Sequence, residues 1–74
     1  MDIREIFALN LKAHRKAKGL SQEELAHLAG IDRTYVSLLE RRMYSASIDV
    51  VQQLATALDI EPDELLKRPR KGRK

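Results

Sequence analysis

No cysteine occurs among the 74 residues. Disulfides and thiol chemistry are therefore excluded, and the composition fits a reducing cytoplasm. Tryptophan is absent as well. One Phe and two Tyr are too few for the aromatic platform on which single-stranded nucleic acid stacks. No apolar run is long enough to cross a bilayer, and the first residues lack a signal-peptide pattern. His14 and His27 have no acidic or thiol companions at ligand spacing, so no metal site is expected. A half-buried histidine within a core stripe accounts for His14. No nucleophile–base pair and no glycine-rich phosphate loop is visible, so neither an enzyme nor a cofactor is expected, and no small-molecule ligand is evident.

A chain of this length makes one domain and buries only about 60% of its unfolded surface, so it needs a well-packed core or a partner. The formal net charge is +3, but its distribution says more. Residues 67–74 carry six bases and no acid. Residues 1–66 carry eight Lys and Arg against eleven acids, a net of −3. The bases of the body gather between Lys12 and Lys18 and at Arg33, Arg41 and Arg42, while 49–64 is acidic. One face of such a domain suits phosphates and another repels them.

The centre of the chain is residues 22–42, QEELAHLAGIDRTYVSLLERR. Leu25, Ala26 and Ala29, then Ile31, Val36 and Leu39, recur at helical spacing on either side of Gly30. Gly30 marks a position requiring positive φ. Ser21 with Glu24 three residues on is a capping box, and Asp32 is the N-cap of the following helix. Two short helices joined so tightly must cross steeply, which is helix-turn-helix geometry. Upstream, residues 2–18 read as a helix with a stripe of Ile3, Phe7, Leu11, His14 and Ala17, stopped by Gly19. The third helix spans 33–41. Downstream, Ser47 caps a fourth helix over 48–58 with Ile48, Val51, Leu54, Ala55 and Leu58 inward. Pro62 opens a short fifth helix to about residue 67. Residues 1–67 form the domain, and 68–74 a basic tail expected to be disordered when free.

The joint pattern resembles the lambda-repressor-like (Cro/cI, xenobiotic-response-element) helix-turn-helix family of DNA-binding proteins. Ala26 matches its small residue at the helix crossing, Gly30 its turn, and Val36 and Leu39 its inward seats. Arg15, the run Gly19-Leu20-Ser21-Gln22, and Glu40-Arg41 extend the likeness over roughly residues 3–66. It implies an all-α, five-helix DNA-binding domain acting in the cytoplasm as a transcriptional regulator. The DRTY run with Ser37 is similar to restriction–modification controller proteins, a branch of the family. One helix-turn-helix covers one half-site, so a homodimer on a pseudo-palindrome is expected. The competing implication is an antitoxin-like or other protein-interaction module with secondary DNA binding.

In that context Arg33, Thr34, Tyr35 and Ser37 become the candidate base-readers. Without it, the same polar face would be an ordinary solvated one. Leu38 is assigned to the core edge. Gln22, at a helix N-terminus where phosphate is favoured, matches the family's phosphate-holding glutamine, with Ser21 beside it. Arg41, Arg42, Tyr44 and Ser45 follow the third helix and suit backbone phosphates. The resemblance also implies an ion pair between Arg15 and Glu40 that orients the third helix. Candidate dimer residues are Val50, Ile60, Leu65 and Leu66, with Met43 a lesser one. The competing role for Leu65 is closing the monomer core, which leaves Leu66 the better interface candidate. Arg42 and Ala46 depart from the family's usual glycine and proline, so the path of 42–47 is open. The basic tail divides evenly between a DNA-contacting arm and a solvated terminus.

Overall fold

The computed structural model of the chain describes residues 2–69. Four α-helices, α1 (Ile3–Ala17), α2 (Gln22–Ala29), α3 (Arg33–Glu40) and α4 (Ile48–Leu58), precede a single 3-10 turn at Pro62–Leu65. No strand occurs among the described residues. α2 packs on α3 and α4, α1 packs on α3 and the 3-10 turn, and α4 closes against the same turn. The expectation of a disordered tail falls, from residue 70 onward, outside the described residues.

Every α-helix starts on a side-chain cap. Asp2, Ser21, Asp32 and Ser47 each accept a hydrogen bond from a first-turn amide. The Glu5 amide, bonded to Asp2, holds that carboxyl below its ordinary range. Every α-helix also ends the same way. Residues 19, 30, 42 and 59 take positive φ, from 60° to 73°. The next amide in each case reaches back five residues: Leu20 to Arg15, Ile31 to Ala26, Met43 to Leu38, and Ile60 to Ala55, at 2.9–3.1 Å. This is the Schellman arrangement, which satisfies carbonyls the helix leaves free. Leu20, Ile31 and Ile60 then turn into the core, whereas Met43 stays exposed.

Glycine supplies the left-handed residue at two of these ends, but Arg42 and Asp59 supply the others. A Cβ in that region costs about 1 kcal/mol, less for Asp, whose short polar side chain tolerates it. Arg42→Gly should therefore raise the melting temperature by about 4–8 °C, the shift that about 1 kcal/mol produces in a domain this size. The ion pair lost with Arg42 is exposed and offsets little of this. A thermal scan checks it, and a lowered midpoint would count against the strain argument.

The core joins Phe7 and Leu11 of α1, Leu25, Ala26 and Ala29 of α2, Val36 and Leu39 of α3, Val50, Leu54, Ala55 and Leu58 of α4, and Leu65. Three expectations are corrected here. On α1, Ile3 and Ala17 are exposed and His14 is half-buried, while Ile6, Ala8 and Arg15 are buried. On α4, Ile48 is 86% exposed and Val50 takes the inward seat, because the 50–54–58 row faces α2 and the 3-10 turn. Val50 and Leu65, named from sequence as interface candidates, are core residues of the single chain.

The third correction is the fifth helix, which is only the 3-10 turn. The α-helical donor to its last carbonyl, that of Leu65, would be the amide of residue 69, and Pro69 has none. The Asn10 side chain takes over, donating to the Leu65 carbonyl at 3.0 Å and the Lys67 carbonyl at 2.7 Å. Side-chain capping by Asn10 thereby pins the end of this turn to α1.

Candidate nucleic-acid interface

The capping box is complete. Ser21 Oγ accepts from the Glu24 amide at 3.0 Å, and the Glu24 carboxylate accepts from the Ser21 amide at 2.8 Å. Gly30 ends α2 at φ 73°, and Asp32 caps α3 through the Thr34 amide at 3.2 Å. A Cβ on Gly30 would meet nothing within 4 Å, so its backbone conformation, not crowding, requires glycine. Val36 and Leu39 are sealed in the core. On the other side of α3, Arg33 and Thr34 are exposed and Ser37 is half-buried. Ser37 follows Thr34 by three residues and Arg33 by four, so the three share one face.

Glu40 ends α3 and is the hub of the site. Its carboxylate accepts from Arg15 Nε at 2.7 Å and Arg15 Nη2 at 3.0 Å, a bidentate pair. It also accepts from the Gln22 side-chain amide at 3.0 Å. Arg15 Nη1 donates to the Leu20 carbonyl at 2.8 Å. Only 10% of the Arg15 side chain and 4% of the Glu40 side chain meet solvent. The Glu40 hydrogen bonds raise the Arg15 pKa above its ordinary value, against the opposing effect of burial. One carboxylate therefore binds α1, α2 and α3 together. Gln22, assigned from sequence to phosphate, has one amide hydrogen committed to this hub, a link that sequence reading missed.

Beyond α3 the loop carries Arg41, Arg42, Met43, Tyr44 and Ser45, all exposed. Arg42 Nη1 lies 3.4 Å from the Glu5 carboxylate of α1. Tyr35 does not stand free on the polar face of α3. It is half-buried, its ring meets Tyr44 edge-on at 5.7 Å, and its hydroxyl donates to the Ser45 carbonyl at 3.5 Å. These contacts brace the loop and were not legible locally. The Asn10 clamp had one sequence signal: Pro69, four residues after Leu65, removes the α-helical donor to that carbonyl.

Charge divides the surface. A wide groove of about 640 Å³ beside α2 and the turn is lined by Leu20, His27, Leu28 and Ile31, with Glu23, Glu24 and Asp32 on its rim and Arg33 of α3 at its border. Arg41 and Arg42 lie elsewhere, by α1. Ile60 is half-buried against the core, and Leu66 is 44% exposed. Among the described residues, no group of His, Cys, Asp and Glu is placed to hold a metal ion, and no helix is long and apolar enough to cross a membrane.

Residues 11–65 match the helix-turn-helix family. The chain belongs to that family. It is 41% identical to a hypothetical transcription factor of Neisseria meningitidis over 92% of its own length and 64% of that protein's. The chain thus spans just under two thirds of that relative. The crystal structure of that factor superposes with a TM-score of 0.89, covering 92% of this chain and 78% of the other. Control protein C.SmaI of Serratia marcescens is 40% identical over 92% of this chain and 81% of its own. The restriction–modification controller protein C.AhdI from Aeromonas hydrophila is 52% identical, with a TM-score of 0.82 over 84% of this chain and 94% of its own. This helix-turn-helix protein therefore has controller proteins and transcription factors among its homologues.

Proposed function

We propose that this helix-turn-helix protein is a cytoplasmic transcriptional regulator. It binds a pseudo-palindromic duplex operator as a homodimer, with α3 in the major groove. The observation that carries the reading is the face of α3. Arg33, Thr34 and Ser37 present a guanidinium and two hydroxyls on a helix whose opposite face is locked in the core. These are groups that read base edges, and a rigid support makes their geometry repeatable. The names of C.SmaI and C.AhdI support a controller role within this reading.

Arg33 forks to a guanine edge, and Thr34 and Ser37 read neighbouring bases. Tyr35 acts through the loop it braces. Backbone phosphates are held by Ser21 and Gln22 at the α2 N-terminus and by Arg41, Arg42, Tyr44 and Ser45 after α3. Leu66 and the edge of Ile60 join the two copies.

Selection of bound sequences from random duplex DNA tests this reading. Enrichment of two inverted half-sites about 34 Å apart is expected. A pool with no enriched sequence would reject sequence-specific binding. Arg33→Ala should then cost about 1–3 kcal/mol on the selected operator and relax the preference at one base pair. Equal losses on operator and unrelated duplex would move Arg33 to the phosphate set.

A further inference from the structure

Between α1 and the end of α3 lies a cleft of about 420 Å³ lined by Ala8, Leu9, Lys12, Glu40, Arg41 and Arg42. Three of these are cations. The one acid, Glu40, has its carboxylate occupied by Arg15 and Gln22 and is matched by the buried guanidinium. Lys12 and Arg41 are exposed, and among the described residues neither has a carboxylate within salt-bridge distance. On α1, Glu5, Leu9 and Lys12 succeed one another at four- and three-residue spacing and so form a row. Glu5 at one end of that row holds Arg42 at 3.4 Å, which keeps this arginine beside the cleft despite its left-handed backbone. The cleft reaches the first two residues after α3, Arg41 and Arg42, and shares no lining residue with the groove beside α2.

We propose that this cleft seats a backbone phosphate of the bound duplex, with Lys12 of α1 completing a cationic set formed by Arg41 and Arg42. The inference rests on the regulator reading above. A duplex phosphodiester satisfies the geometry because Arg41 and Arg42 extend directly from the helix that enters the groove. Lys12 then acts as a point charge that adds affinity without reading sequence. Glu5 acts as a placeholder for the phosphate at Arg42.

The test is the salt dependence of duplex binding by Lys12→Gln, followed by fluorescence anisotropy. Lys12 is exposed, so the variant keeps its fold, which circular dichroism verifies. The slope of log K against log salt should become shallower by about 0.9 per protomer bound, with affinity about eightfold lower per protomer at about 0.1 M salt. The loss should be equal on operator and unrelated duplex. Lys16→Gln, also on α1 but outside the cleft, should move the slope much less. An unchanged slope in Lys12→Gln, or an equal change in Lys16→Gln, overturns the inference. Inorganic phosphate that shifts the Leu9 and Arg41 amide resonances while the DNA slope stays unchanged in Lys12→Gln would assign the cleft to a free anion and also overturn it. If the unaltered chain shows no salt-dependent duplex binding, the regulator reading fails and this inference with it. Binding with an unchanged slope in the variant fails this inference alone.

Discussion

Glu40→Ala is expected to destabilise the domain by about 3–5 kcal/mol, the cost of breaking one side of a buried ion pair. The substitution leaves the Arg15 guanidinium inside the protein with only the Leu20 carbonyl as partner, and it also releases the Gln22 amide. Arg15 cannot escape by losing its proton, because arginine remains charged in proteins. At about 4–8 °C per kcal/mol for a domain of this size, the melting temperature should fall by about 12–40 °C, much of the margin of a small domain. Thermal and urea unfolding measure it. A midpoint within a few degrees of the parent would sink the idea that this pair is structurally costly to break. The double replacement Arg15→Met with Glu40→Leu should recover most of the loss, since well-packed apolar pairs often match buried ion pairs. DNA binding should not recover with it, because the link from Glu40 to Gln22 is still missing. That split separates the stabilising role of the hub from its role in setting α2 against α3.

Leu66→Asp is expected to turn a dimer into a monomer and to lower operator affinity by about two orders of magnitude or more, the gain that linking two binding modules ordinarily confers. Leu66 edges a small apolar cleft with Ile3, Phe7, Tyr44, Ala46 and Val51, and it is 44% exposed in the single chain. A carboxylate at that position meets water in the monomer, so the fold survives. In a dimer it would be buried without a partner, which is strongly unfavourable. Sedimentation analysis reads the oligomeric state, and anisotropy on the operator reads the affinity. A variant that stays dimeric would place the two-fold contact on another face. Leu65, its sequence neighbour, cannot serve as the comparison, because at 0% exposure it belongs to the core and its replacement would unfold the chain.

These two residues illustrate different degrees of legibility. The pairing of Arg15 with Glu40 followed from a family likeness, yet its third member, Gln22, did not. A glutamine at a helix start has several plausible partners, and only the crossing of α2 over the end of α3 selects one. Leu65 and Leu66 presented adjacent apolar side chains of equal hydrophobicity. Which one enters the core depends on the phase of the 3-10 turn, and that phase is held by Asn10, 55 residues away from Leu65 in sequence. Tyr35 stood among polar residues of α3 and read as one of them. Its engagement with Tyr44 and Ser45 requires the return path of the loop, which the left-handed Arg42 directs.

The sequence by itself determined where α2, α3 and α4 begin and which glycines follow the ends of the first two helices. Caps act over three residues, and a left-handed glycine acts at its own position, so Ser21 with Glu24, Asp32, Ser47, Gly19 and Gly30 could be read without knowing what surrounds them. Tertiary structure decided which side of each helix faces inward and which polar groups meet. It put Val50 inside in place of Ile48, buried Arg15 beside a merely half-buried His14, and ended the last helical segment as a 3-10 turn. The physical reason is range. An apolar stripe names several neighbouring rows that could be buried, and only the arrival of distant helices, with hydrogen bonds such as those of Asn10 and Glu40, chooses among them.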